Sequence, residues 1–458
     1  MVRLLKGILL AAPDFVPELL SKHILFTATF GKAELFQEQK LHDQKSQLLR
    51  LLEQFLAQLN YQSEEALQAR QLLSAFEKRN LADHFPRLYR KIHRQHLKTS
   101  KRDNRFFLDA YLLEQVQDAF QGKRQTRKLG GNLNALGENL DVFYLGAKLR
   151  STCEMLNRSR LLNQPFRSEM MKEIQSFLQQ PDNRYLVYPS INIYFQIYLT
   201  LTSEEGGGEA YRELVQLLKA HAGLFPSNEA YAMYAYAQNF CIRQINQGKS
   251  EYLEELFRIY QRLLKEDLLL KNGVLAHEHY KNINTLALKQ EEFEWAFDFL
   301  QMYRNRLPAE YKENAFNYNL AVWHYEQHQP KSALKLLQQV DFTDVYYHLS
   351  AKFILLKIYY EQQDDDALDY LIKAFLIFLK RNKQIAGYQI QAYQKLIRLI
   401  KKTARLRKQE HKLSASDFVL RWQALHTEVQ QTQGIANSRW LKKQLQALQP
   451  PNAEVVGG

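Results

Sequence analysis

Apolar residues recur along this chain at the period of a helix, with polar residues filling the other face. Leu48/Leu49, Leu52, Phe55/Leu56 and Leu59 make one such stripe and predict a helix over about residues 40–59. Ser63 ahead of Glu64-Glu65 predicts a capped start for the next helix, with Leu67, Leu72/Leu73 and Phe76 as its apolar residues. Phe106/Phe107, Ala110/Tyr111, Leu113, Val116 and Phe120 predict a helix over 103–121. Residues 139–162, NLDVFYLGAKLRSTCEMLNRSRLL, are apolar on two sides of a helical wheel. Leu140, Phe143, Tyr144, Ala147 and Met155 lie on one side, and Val142, Leu145, Leu149, Cys153 and Leu156 on the other. A helix apolar on two faces is expected to be covered on both. Arg150, Glu154 and Arg158 stand four apart on it and predict an ion-pair ladder. No alternating run reads as a strand, so the expected class is all-α. The segment 122–138, with four glycines and a positive run, is the expected joint after an N-terminal domain.

From about residue 190 the pattern repeats. Leu320-Ala321 aligns with Ile354-Leu355, Tyr325 with Tyr359, Ala333 with Ala367 and Leu337 with Leu371, each 34 residues apart. A further copy lies upstream at Ile283, Ala296 and Leu300, and weaker ones at Phe240/Cys241 with Leu253/Phe257 and at Ile197/Tyr198 with Ala210/Leu214. A small residue beside a large apolar one lets two helices approach closely, and stacked neighbours then bury the face that one pair leaves open. On these residues the chain resembles the tetratricopeptide repeat in degenerate form, with Asn317 where that repeat carries tryptophan. The resemblance implies an α-solenoid of tetratricopeptide-like helical hairpins behind a helical N-terminal domain. The expected order is a basic helical domain (1–130), connecting helices (131–189), repeats with a capping helix built on Ile390, Tyr393, Leu396/Ile397 and Ile400 (190–405), C-terminal helices (406–449) and a disordered tail (450–458). Residues 139–162 and the helices before them also resemble a group of uncharacterised bacterial all-helical proteins, which implies no activity or site.

Composition adds little to the fold and more to the function. Of 458 residues, 46% are hydrophobic and 24% charged, as in an ordinary folded protein. The 62 Lys and Arg against 49 Asp and Glu leave a formal charge of +13, which favours polyanions at a distance. Cys153 and Cys241 are far apart, so no disulfide framework or Cys-based zinc site is expected, and a reducing cytoplasm is the default. The apolar runs 7–12 and 374–379 fall short of a signal core or a membrane span.

The strongest charge feature is 78–105. On a helix starting near Pro86, Arg87, Arg90, Lys91, Arg94 and Lys98 share one face, opposite Leu88, Tyr89, Ile92 and His96. Such an array tracks a phosphate backbone, with Phe106 and Phe107 as candidates to stack on bases, or it is the solvated face of an amphipathic helix. Lys123, Arg124, Arg127 and Lys128 follow, and a second basic cluster, Lys401, Lys402, Arg405, Arg407 and Lys408, lies beyond the repeats. In the repeats, Lys281, Tyr318 and Lys352 are expected at equivalent sites, with Tyr325 and Tyr359 as another pair. The tetratricopeptide resemblance implies that these line a concave groove for a peptide or helix of a partner protein.

Catalytic patterns are incomplete. His277-Glu278-His279 departs from HExxH at Lys281, Gly248-Lys249-Ser250 lacks the first glycine of a phosphate loop, and the apolar neighbours of Cys153 favour an inert core thiol. His93, His96, His277 and His279 are expected to be ordinary, partly exposed histidines. The expectation is a non-enzymatic cytoplasmic scaffold for a protein partner, with no cofactor and no metal. A nucleic-acid-binding protein using the basic stripe is the alternative.

Overall fold

A computed structural model describes residues 1–123, 132–162, 164–203, 207–340 and 345–450. Among them are twenty-one α-helices and one two-stranded hairpin, so the class is all-α as expected. The chain forms two compact units, Met1–Met233 and Tyr234–Gly458.

The first unit holds α1 (Val2–Leu9), α2 (Lys22–Phe30), α3 (Glu38–Ser63), α4 (Glu65–Lys78), α5 (Phe85–Lys98), α6 (Asn104–Gly122), α7 (Leu133–Leu162), α8 (Met171–Leu178), α9 (Pro189–Thr202), α10 (Gly208–His221) and the start of α11 (Ser227–Asn246). Its N-terminal core gathers Leu4, Leu25, Phe26, Leu41 and Leu48 from α1, α2 and α3. A second core joins Leu73, Phe85, Leu113 and Phe120 from α4, α5 and α6.

The pattern of α3 is read correctly, but Ser63 is the last residue of that helix and not a cap. Its hydroxyl donates back to the Asn60 carbonyl, and Glu64 precedes α4. Asp103 does cap α6, its carboxylate accepting from the Phe106 backbone N–H at 3.0 Å. The expected joint fares differently. Residues 124–131, with Arg124, Arg127 and Lys128, lie outside the described residues, and from Leu133 the chain is already helix. There α6 and α7 pack along each other inside one unit. Gly146 permits this approach, since a Cβ there would stand 2.2 Å from Asn104 Oδ1.

In α7 only one of the two apolar sides is fully covered. Val142, Leu145, Leu149 and Cys153 are buried, while Leu140 and Tyr144 are exposed, so the expectation of cover on both sides is corrected. The ion-pair ladder divides as well. Glu154 pairs with Arg158 at 2.5 Å near the surface, and Arg150 reaches Glu229 on α11 at 3.1 Å.

The second unit continues with α12 (Tyr252–Lys265), α13 (His277–Lys289), α14 (Phe293–Tyr303), α15 (Lys312–Glu326), α16 (Pro330–Leu337), α17 (Val345–Glu361), α18 (Asp365–Arg381), α19 (Gly387–Gln409), α20 (Ala415–Gln431) and α21 (Ser438–Ala447). Between α12 and α13 lies the hairpin of β1 (Leu270–Lys271) and β2 (Val274–Leu275), turned through Asn272 and Gly273, both at positive φ. An Asn-Gly pair between apolar residues is a strong hairpin signal, and it was in the sequence.

Four helix pairs of this unit close with the same turn. A residue at positive φ (Gly248, Glu291, His328 and Gln363) follows the first helix. The next N–H then bonds five residues back, Lys249 to Gln244, Glu292 to Ala287, Gln329 to His324 and Asp364 to Tyr359. This is the main-chain closure that satisfies the last carbonyls of a helix. It places Cys241, Asn284, Ala321 and Leu356 at one structural position, each wholly buried.

The turns correct the register read from the sequence. His328 and Gln363 are 35 residues apart, not 34, so Tyr325 corresponds to Tyr360, and Lys281 and Tyr318 correspond to Phe353. First helices pack on first helices, α13 on α15 and α15 on α17, and each also packs on its own second helix. Beyond α18, the core joins Phe375, Leu396, Ile400, Trp422 and Leu441, with Trp422 Nε1 donating to the Leu445 carbonyl at 2.9 Å.

Candidate functional site

In the first unit α5 is amphipathic, as its spacing requires. Pro86 sits in the first turn, where its missing N–H has no helical partner to lose. Phe85 is buried and stacks on Phe120 at 3.9 Å, while Leu88, Tyr89 and Ile92 pack beside it. Tyr89 donates to the buried Glu114 at 2.8 Å, and burial followed by that carboxylate pushes the phenol's pKa up. The packed side fixes the rotation of the helix and turns the other side to water.

On that outer side Arg87, Arg90, Lys91, Arg94 and Lys98 are all exposed. With Gln95 they line one shallow trough of about 390 Å³. Arg90 donates to the Pro86 carbonyl at 3.2 Å, which uses one of its five N–H groups. Among the described residues none of the five cations pairs with a carboxylate. At about 1.5 Å per residue the stripe is roughly 16 Å long, enough to run beside consecutive phosphates of a strand.

The expected base-stacking residues are not available. His96 lies parallel to Phe106 at 4.0 Å, and the Arg102 guanidinium stands over the same ring at 4.2 Å. Two groups that close to one ring must take opposite faces, so Phe106 is sandwiched. Phe107 is buried and meets Phe106 and Tyr188 edge-on. Burial pushes the His96 pKa down. His93 sits 3.9 Å from Glu114.

In the second unit Lys281 and Tyr318 of the expected groove residues meet in one group and Tyr325 belongs to another, while Lys352 and Tyr359 are engaged elsewhere. Lys281 donates to Ser350 Oγ at 2.6 Å and lies over the rings of Tyr318 and Tyr347. Tyr318 is 5% exposed and packs between helices, so it offers no open contact surface. Tyr347 donates to the His277 carbonyl at 3.0 Å, tying α17 to α13. Tyr325 forms the other group, donating to Glu361 at 2.7 Å, and Trp440 of α21 donates to the same carboxylate at 2.7 Å. Lys357 lies over the Tyr325 ring at 4.3 Å, and burial pushes its pKa down. Lys352 lies over Phe378 at 5.7 Å, its pKa also lowered by burial. Tyr359 is half-buried and packs against the C-terminal core. Nothing local in the sequence ties Glu361 and Trp440, 79 residues apart, to Tyr325.

The chemical motifs resolve into ordinary structure. Cys153 is fully buried, its thiol donating to the Tyr194 carbonyl at 3.4 Å, and burial pushes its pKa well up. His277 is buried against Tyr311, which corrects the expectation of partial exposure. Among the described residues no group of three His, Cys, Asp or Glu is placed to hold a metal ion. No helix among them is long and apolar enough to cross a membrane. No family model matches the chain, and no curated protein or solved structure matches it.

Proposed function

We propose that this protein binds the phosphate backbone of a nucleic acid along α5, without catalysing a reaction. One observation carries the reading. Five exposed cations share one trough, and no described carboxylate neutralises them. Fixed cations at helical spacing displace the counterions of a polyanion, so binding weakens steeply with salt. Fluorescence anisotropy with a labelled duplex tests this. Five phosphate contacts give a slope of log affinity against log salt of about −4.5. Absence of binding at about 50 mM salt, or binding unchanged when Arg87, Arg90, Lys91 and Arg94 become Ala, overturns it.

A second reading is a tetratricopeptide-like solenoid that serves as a cytoplasmic scaffold for a peptide or helix of a partner protein. The recurring turn and the stacking of first helix on first helix support it. Fewer of the expected contact residues are open than this reading would use, because Tyr318 is buried and Tyr325 is engaged through Glu361 with α21. Partners retained after nuclease treatment, and lost with Tyr325→Ala or Tyr359→Ala in a folded protein, support this reading. Retention unchanged in both variants counts against it.

A further inference from the structure

The first half of α3 is held by the fold, with Leu41 and Leu48 buried against Leu4, Leu25 and Phe26. From Leu49 to Ser63 every residue is exposed, although this is the apolar end of the helix. Leu49 is 58% exposed, Phe55 55%, Leu56 63% and Leu59 44%. A projecting helix of this length gains little from propensity alone and is stable in water chiefly through what it packs on. We propose that α3 is a self-association helix, through which two copies of this chain pair along residues 49–63.

Three observations select a second copy as the occupant. Leu52, Phe55 and Leu59 are spaced three and four apart, which is the seam of a coiled coil, and Leu49 and Leu56, seven apart, widen it. The stretch 46–63 contains one cation before the terminal Glu64, Arg50, and one acid, Glu53. Two copies of a chain of formal charge +13 therefore meet here without like-charge repulsion. The exposed apolar residues offer roughly 500 Å² per copy, so a pair buries about 1,000 Å², where specific interfaces begin. A lipid surface is a poorer fit, because interfacial helices carry a row of Lys and Arg beside the apolar face, and this segment has Arg50 alone.

Sedimentation of the full chain, with titration of its concentration, is the test. The expected species has twice the 54.1 kDa mass of one chain. Leu52→Glu combined with Phe55→Glu raises the dissociation constant by at least about a hundredfold, with the helical circular dichroism unchanged because both side chains are exposed. Leu59→Lys alone gives a smaller shift in the same direction, and serves if the double variant misfolds. A wild-type chain that is monomeric at about 100 µM overturns the proposal. So does a dimer that both variants leave intact, or a monomer that binds neutral lipid vesicles through this face.

Discussion

Two helices of this protein carry a run of five cations, and on only one of them does no described carboxylate pair with the run. On α5, Arg87, Arg90, Lys91, Arg94 and Lys98 face water together. On α19, three cations of the similar run Lys401, Lys402, Arg405, Arg407 and Lys408 meet acids from other helices. Lys402 pairs with Glu428 at 2.6 Å, and Arg407 and Lys408 pair with Asp365 at 3.2 and 3.1 Å. Arg407 also donates to the Tyr360 carbonyl and covers its ring. The neutralising acids are 26 and 42 residues away in sequence. A charge run therefore gains meaning from the carboxylates that the tertiary structure brings or withholds.

The largest expected effect is on the α5 side. Converting Arg87, Arg90, Lys91 and Arg94 to Ala together should weaken duplex binding by more than about a hundredfold at moderate salt, while Lys402→Ala with Lys408→Ala changes it less than about twofold. Equal losses from the two sets would erase the distinction. Next, Asp365→Asn with Glu428→Gln should turn α19 toward the α5 condition. Anisotropy should then show a gain of a few fold in duplex affinity, and none if the freed cations stay folded onto the surface.

A third test concerns Arg150, a cation whose partner is buried. Glu229 is 5% exposed and accepts from Tyr194 at 2.8 Å as well as from Arg150. Arg150→Ala should cost about 1–2 kcal/mol in denaturant unfolding, a figure reduced because Arg150 itself is half exposed. Burial already raises the Glu229 pKa, against the pull of Tyr194 and Arg150. A carboxyl with a raised folded pKa stabilises fully below the ordinary glutamate range, and that stability is lost as pH rises through the raised value. Removing Arg150 raises it further, so the deficit of the variant should vanish in acid and widen toward neutral pH. The smallest effect is expected at Cys153, one turn from Arg150 but fully buried. Native protein should resist alkylation at neutral pH and react only on unfolding, and rapid labelling would contradict the packing.

The sequence revealed helices better than their partners. The stripe of α5 was legible because Leu88, Tyr89 and Ile92 must face the core, which leaves the arginines outside. The stripe of α3 was equally legible, yet its periodicity alone could not say that no described residue covers it beyond Leu48. The repeat was visible at Ala333, but its register slipped by one residue near Gln363. The turn there is closed by main-chain bonds that leave no mark on residue identity. The partners of Tyr318 and Tyr325 were hidden for a related reason, since both meet side chains on other helices whose positions follow only from packing.

Those turns have a consequence for how the second unit can change. Each leaves its first helix through one left-handed residue and enters the next through the same backbone path, whatever side chains it carries. Glu291, His328 and Gln363 are therefore equivalent points for cutting and rejoining the chain. A pair duplicated or exchanged between two of them meets a matching junction at both ends, so recombination can lengthen, shorten or reshuffle this array without designing a new loop.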